Sequence, residues 1–435
     1  MWFRRDLRLS DHPALCHAAR EGREVLPLFI LDPALIGPSG AARLAFMYRS
    51  LRALSDAMGG GLVIRTGDPA QVLAEVTAET GADEVVVTRD AAPYGRRRDA
   101  AVRERLASIG VDFVGTSTPY AVPPGKVLKD DGTPYAVFTP FFKAWFRLGH
   151  SMPVDAPHVA WFRPGRIDSD AIPDDPPLEC ELPPAGEHAA HDTWARFREH
   201  AIDAYDDTRN LPGVEGTSRL SPYLRWGCIH PRQILADLGD TPGQATFRKE
   251  IAWREFYADV LFHQPRTARE NLHPKMDRLT VDTDAAATAR FEQWAAGRTG
   301  FPIVDAGMRQ LLATGWMHNR VRMIVASFLV KDLHLPWQWG ARHFMQHLVD
   351  GDLASNQHGW QWTAGTGTDA SPYYRVFNPI GQAERFDPDG DYVRRWLPEL
   401  ADAPAATIHQ PTAPMLDHAA ERAEALRRYQ AVTGR

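Results

Sequence analysis

The feature that most limits what this chain can fold into is a change of hydrophobic period along it. Up to roughly residue 120, short β-branched runs (25–31, 62–65, 84–88, 111–115) alternate with stretches of helical spacing (43–58, 69–80, 96–109). Strands separated by helices favour parallel pairing, so this alternation predicts a doubly wound, Rossmann-like parallel sheet with helices on both faces. Gly67-Asp68-Pro69 reads as a strand end followed at once by a helix start. Residues 152–190 turn rich in Pro, Asp and Gly and lose periodicity, as a connector over the surface would. From His191 onward the helical period dominates, for example at Trp194, Phe197, Ala201 and Tyr205, and again at Phe247, Ile251, Phe256 and Leu261. The expected architecture is an α/β N-terminal domain over 1–125, a linker over 126–190 and an all-α domain over 191–435, two cores being the ordinary outcome for 435 residues.

Within the helical half, Asp350, Asp352, Asn356, Trp360 and Trp362 fall inside the fourteen residues from Val349 to Trp362. Aromatic planes beside acceptors and an amide suit a planar ligand with a polar edge, and Asp352 and Asn356 share a helical face. A buried helix with satisfied ion pairs accounts for the same residue types. Residues 316–323 repeat the theme with Asn319, Arg320, Arg322 and Met323. Thr217-Ser218-Arg219-Leu220-Ser221 sets three hydroxyls and an Arg ahead of a helix, where free N–H groups attract phosphate. An N-cap alone would use one of those hydroxyls. Glu250, Trp253 and Arg254 share one face of a later helix, and a Trp is out of place on a merely solvated face. In the first half, Pro93 to Asp99 carries three adjacent Arg at a helix start, suited either to an anionic ligand or to solvated charge pairs. That half has no glycine-rich dinucleotide fingerprint.

A net charge of −6 excludes a protein that coats polyanions over its whole surface. Between Met308 and Phe344, however, Arg309, Arg320, Arg322, Lys331 and Arg342 face only Asp332, which leaves open either a local basic surface or scattered pairs. Cys16, Cys180 and Cys228 have neither metal spacing nor a disulfide pattern, so a cytoplasmic protein without a metal is expected. No run has the length of a membrane span, and the opening residues lack the apolar core of a signal peptide. Thirteen Trp are many, and Trp is the best surface for stacking and cation contacts.

Taken in order, these segments resemble the DNA photolyase and cryptochrome family over nearly the full length. Trp2 to Arg8 is similar to the family's opening strand and turn, Glu215 to Leu224 to its flavin phosphate loop, and Glu250 to Tyr257 to its flavin and lesion helix. Thr314 to Arg322, Asp350 to Trp362 and Thr366-Gly367-Thr368-Asp369-Ala370 complete the set, and the likeness is greatest to class I cyclobutane pyrimidine dimer photolyases. The resemblance implies a helical domain that holds FAD in a bent shape and binds DNA. By motif, Tyr205, Thr217, Ser218, Arg219, Leu220 and Ser221 would hold the pyrophosphate and ribityl region. Trp253, Arg254, Asn319, Arg322, Asp350, Asp352 and Asn356 would surround the adenine and isoalloxazine, with Arg322 and Asp350 paired and the Asn356 amide at flavin N5. A neutral amide there avoids a second negative charge beside the reduced ring, which points to repair. The family's dimer pocket corresponds to Glu250, Trp253, Asn319, Met323 and Trp362, whereas six-four photolyases place His at the positions of Asn319 and Met323.

The implied activity is light-driven splitting of cyclobutane pyrimidine dimers in UV-damaged DNA by a monomer. The dimer flips out of the duplex, rests on Trp253 and Trp362, and is hydrogen bonded by Glu250 while an electron passes from photoexcited reduced FAD and returns. The alternative is a cryptochrome-type photoreceptor; such members often carry a long disordered tail, where this sequence ends on a helical pattern at Arg435. Flavin reduction in the family runs along three tryptophans. Trp360 and Trp337 match the inner two, but the segment matching the outer one, 273–290, has neither Trp nor Tyr. An exit through Trp339 or Trp294, or slow photoreduction, is therefore expected. Residues 93–99 are more similar to deazaflavin-binding than to folate-binding members, which implies 8-hydroxydeazaflavin rather than methenyltetrahydrofolate as antenna.

Overall fold

A computed structural model describes residues 1–162, 167–368 and 374–434. Strands Trp2–Phe3, Leu28–Leu31 and Val63–Thr66 form one sheet in that spatial order, with Trp2 opposite Leu28 and Phe29 opposite Ile64. Glu84–Thr88 pairs with Asp112–Thr116, Val86 lying opposite Val114. Every strand pair here is parallel, and helices Ala41–Ala57, Pro69–Thr80 and Pro93–Ala107 fall between the strands, as the alternation predicts. Pro69–Thr80 shows why the boundaries were readable. Asp68 accepts from the N–H groups of Ala70 and Gln71, Pro69 needs no donor at the first turn, and Gly81 ends the helix at φ 69°.

Two features depart from expectation. The run 25–31 is split into Glu24–Val25 and Leu28–Leu31, with Pro27, which has no N–H to give a ladder, between them. Glu24–Val25 pairs instead with Ala160–Trp161, so the connector returns a strand to the first half. The stretch assigned to the linker also carries the helix Phe138–Leu148. Its Phe138, Phe141, Phe142 and Trp145 recur at helical spacing, and Phe141 and Trp145 are buried.

From Glu187 on, the named elements are helical. Helix Leu353–Ala364 is the hub, packing on Pro242–His263, Asn319–Ser327 and Trp337–His347. Asp352 caps its start by accepting from Ser355 N–H at 3.1 Å, and Gly365 closes its end at φ 75°. Gly340 sets the closeness of one neighbour: a Cβ there would lie 2.1 Å from the Trp360 ring. Among the described residues no helix is long and apolar enough to cross a membrane.

Candidate functional site

The hub helix presents Asn356, Gly359 and Trp362 on one face, three residues apart. Gly359 is half-buried, yet among the described residues nothing lies within 4 Å of the point where a Cβ would stand. A glycine inside a helix costs stability, so open space at this one leaves room for something other than a side chain. Both N–H groups of the Asn356 amide are used, donating to Ala341 O at 3.0 Å and to Gln357 Oε1 at 2.8 Å, which leaves Oδ1 as an acceptor.

Arg322 and Asp350 form a pair at 2.8 Å, and Arg322 Nε donates to Met317 O. The second carboxylate oxygen of Asp350 is buried without a partner among the described residues. Asn319 is exposed at the start of Asn319–Ser327, and its amide nitrogen lies 3.9 Å from Met323 Sδ one turn on. Across the site, Glu250 pairs with Arg209. Burial pushes the Glu250 carboxyl above its usual range, and Arg209 pulls it part of the way back. Trp253 is half-buried with Phe138 stacked on one face at 3.7 Å, and Trp362 is half-buried with the Arg375 guanidinium 5.8 Å over its ring.

The phosphate-loop residues lie together. Thr217 and Ser218 are half-buried, Leu220 is buried, and Ser221 opens the helix Ser221–Trp226, whose start no side chain caps. Arg219 is exposed at φ 51°, paired with Glu215 at 2.9 Å, and its guanidinium sits 5.0 Å over Trp316. A bulky residue at positive φ is strained backbone, of the kind that binding loops retain. Tyr205 is buried edge-on to Phe247 at 5.2 Å.

Other expected residues are turned elsewhere. Asp352 is committed to protein, binding Arg5 Nη2 at 2.6 Å beside its capping bond. Burial opposes its charge, but Arg5, Arg225 and Arg254 outweigh that and hold it well below the usual carboxylate range. Arg254 donates to the carbonyls of Pro119 and Leu224 and lies over the Tyr120 ring, at the seam between the halves rather than in the space beside Gly359. The three Arg of 96–98 do not converge: Arg98 binds Asp99 at 2.9 Å and Asp90 at 3.5 Å, Arg96 donates to Phe262 O, and Arg97 is exposed. Nor do the cations of 308–344 form one basic surface. Arg309 pairs with Glu399, Arg320 binds Asn210, Arg322 takes Asp350, Lys331 is buried against the Arg375 carbonyl, and Arg342 is exposed. Asp369 and Ala370 of the final motif lie outside the described residues.

Trp360 is buried and touches Trp294 edge-on at 6.2 Å, while Trp337 is buried one turn before Gly340 on the adjoining helix. Trp294 leads through Phe291, at 5.7 Å from each, to half-buried Trp339. Sequence reasoning missed Gly359, Arg209 and Arg5. An isolated glycine inside a helical pattern was the available signal for the first; the partners of Glu250 and Asp352 lie too far away in sequence to have been read.

The room beside Gly359, the orphan oxygen of Asp350 and the uncapped, hydroxyl-lined helix start together fit a large ligand with a planar ring and phosphates. The family profile described as the FAD binding domain of DNA photolyase matches residues 247–432, and the DNA photolyase profile matches residues 1–158. A deoxyribodipyrimidine photo-lyase of Agrobacterium fabrum is 38% identical over 99% of this chain and 97% of the relative. The crystal structure of a bacterial class III photolyase from Agrobacterium tumefaciens superposes at a TM-score of 0.92, with 38% identity over 100% of this chain and 97% of the other. That match is to class III, whereas the motifs resemble class I. An archaeal photolyase from Sulfolobus tokodaii, described with two FAD molecules, gives 0.87 at 28% identity over 99% of both chains. On these relatives, matched from end to end, the chain belongs to the DNA photolyase family.

Proposed function

We propose that this chain is a deoxyribodipyrimidine photo-lyase that binds FAD and repairs cyclobutane pyrimidine dimers in UV-damaged DNA under blue light. The observation that carries the proposal is the unfilled space beside Gly359, flanked on its own helix face by Asn356 and Trp362. FAD, bound and reduced, supplies one electron to the dimer on excitation and receives it back after the ring has split.

The protein's own residues do the rest. Thr217, Ser218 and Ser221, with the open N–H groups at the start of Ser221–Trp226, hold the phosphates. Asn356 offers only its oxygen and carries no charge, which suits the N–H edge of a reduced, anionic ring. The Arg322–Asp350 pair balances charge beside that ring. Trp253 and Trp362 give the dimer apolar surface, while Glu250, whose carboxyl burial pushes up against the pull of Arg209, hydrogen bonds its edge. Asn319 and Met323 close the pocket; neither is a His, which supports cyclobutane dimers over six-four products. Residues 1–125 would form the antenna domain and 191–435 the FAD and DNA domain. For the antenna pigment, 8-hydroxydeazaflavin rests on the likeness of residues 93–99 to deazaflavin-binding members, and the relative described with two FAD molecules supports a second chromophore without choosing its identity.

Purified protein loaded with FAD, reduced, and irradiated with dimer-bearing oligothymidylate should show light-dependent recovery of thymine absorbance. No recovery would leave the signalling reading. An absorption spectrum of the isolated protein separates deazaflavin from folate and from a second flavin.

A further inference from the structure

Trp360 on the hub helix meets Trp294 edge-on, Trp337 stands one turn before Gly340, the glycine that faces the Trp360 ring, and the three indole N–H groups are treated differently. Among the described residues Trp360 Nε1 is buried with no partner. Trp294 Nε1 donates to a backbone carbonyl, Val325 O, at 3.0 Å. Trp337 Nε1 donates at 2.9 Å to the side-chain oxygen of Asn271, and the amide of Asn271 donates at 2.7 Å to the Asp277 carboxylate. Asn271 is buried, whereas Asp277 is exposed, so this relay connects an enclosed indole to a negative charge at the surface.

The position of Asn271 is strongly fixed. Its loop is tied along Leu353–Ala364 by Gln357 to Ala268 O, Gln361 to Thr267 O, and Leu272 N–H to Gln361 Oε1, at 2.7, 2.9 and 2.8 Å. Arg266 gathers the carbonyls of Asn271 and Leu272 at 2.7 and 2.8 Å. An indole that has lost an electron is a far stronger hydrogen-bond donor than a neutral one. An oriented oxygen backed by a carboxylate therefore stabilises the oxidised form selectively.

We infer that Asn271 and Asp277 are positioning residues for electron supply, making Trp337 the resting place of the oxidising hole in a chain whose 273–290 segment offers no outer indole. The inference rests on the flavin reading above. One electron leaves Trp360 for the light-excited ring, and one electron from Trp337 refills Trp360. The oxidised Trp337 keeps its Nε1 proton, shared with Asn271 Oδ1. A small-molecule thiol in solution then gives Trp337 one electron, releases its proton to water, and ends as half of a disulfide.

The test is flash photolysis of FAD-loaded protein without thiol, following the tryptophanyl radical. Asn271→Leu should shorten the radical's lifetime by about tenfold or more, equivalent to a shift of about 1.4 kcal/mol in where the hole rests. Asp277→Asn, which keeps the amide in place, should shorten it less, and raised salt should shrink the difference between Asp277→Asn and wild type. Ultraviolet resonance Raman of the flavin-free protein should show one indole N–H losing its acceptor in Asn271→Leu only. Equal lifetimes in wild type and both variants would overturn the inference, as would a shortened lifetime in Trp294→Phe alone. Absence of any tryptophanyl radical in the wild type would instead overturn the flavin reading.

Discussion

At the scale of the residue, Gly359 separates what the fold needs from what the ligand needs. A Cβ there meets nothing among the described residues, so Gly359→Ala should stabilise the flavin-free chain by about 0.5–1 kcal/mol, the ordinary cost of glycine in a helix. The same substitution should weaken FAD binding, because the added methyl occupies the room that the ring would take. Urea unfolding of the apo protein and flavin titration check the two halves; tighter or unchanged flavin binding would remove this face from the site. The motif residues were legible because Asn356, Trp360 and Trp362 advertise their chemistry by type. Gly359 was not, since a glycine declares only that something is close or absent.

At the scale of the element, the hub helix is held from outside by the seam between the two halves. Asp352 both caps it and neutralises Arg5, with side-chain exposures of 11% and 16%. Burial and the nearby Arg5 bring Arg225 down to about 9, and its Nη1 has no partner, so this seam already carries cationic excess. Asp352→Ala should therefore cost about 3–5 kcal/mol by stranding Arg5. Asp352→Asn should cost about 1 kcal/mol less, because it retains an oxygen for the cap. Equal denaturation midpoints for the two variants would show that the cap contributes nothing. Asp352 and Asn356 do share a helical spacing, but the first lies at the helix start, where its oxygens bend back to the backbone and the neighbouring domain. Similarly, Arg96, Arg97 and Arg98 are adjacent in sequence but diverge by the helical rotation of successive residues, so adjacency did not make a site.

At the scale of the whole molecule, periodicity alone gave a parallel α/β half followed by helices, because each local pattern agrees with its tertiary setting. Within the stretch 126–190 the spacing of Phe138, Phe141, Phe142 and Trp145 makes a helix ahead of the Pro-, Asp- and Gly-rich residues 152–190. The mature fold also stores a pH response. Burial, with Arg320 and Arg322 nearby, lowers His318 to about 3, and burial lowers His358 to about 4, both from 6.5. Between those values and 6.5 the unfolded chain binds protons that the folded chain refuses. Stability should hold near neutrality and fall as pH drops from about 6.5 towards 4, by about 1.4 kcal/mol per pH unit for each histidine. Urea titrations at several pH values test this, and the slope should ease when His358→Gln removes one of these sites, since burial lowers His230, His343 and His347 as well.

Arg5 and Asp352, 347 positions apart, also constrain ancestry. A hybrid gene that joined this first half to a relative's second half would inherit one ion without its counterion, unless both parents happened to agree at both places. A crossover in the middle therefore has to carry a matched pair of residues at these two places.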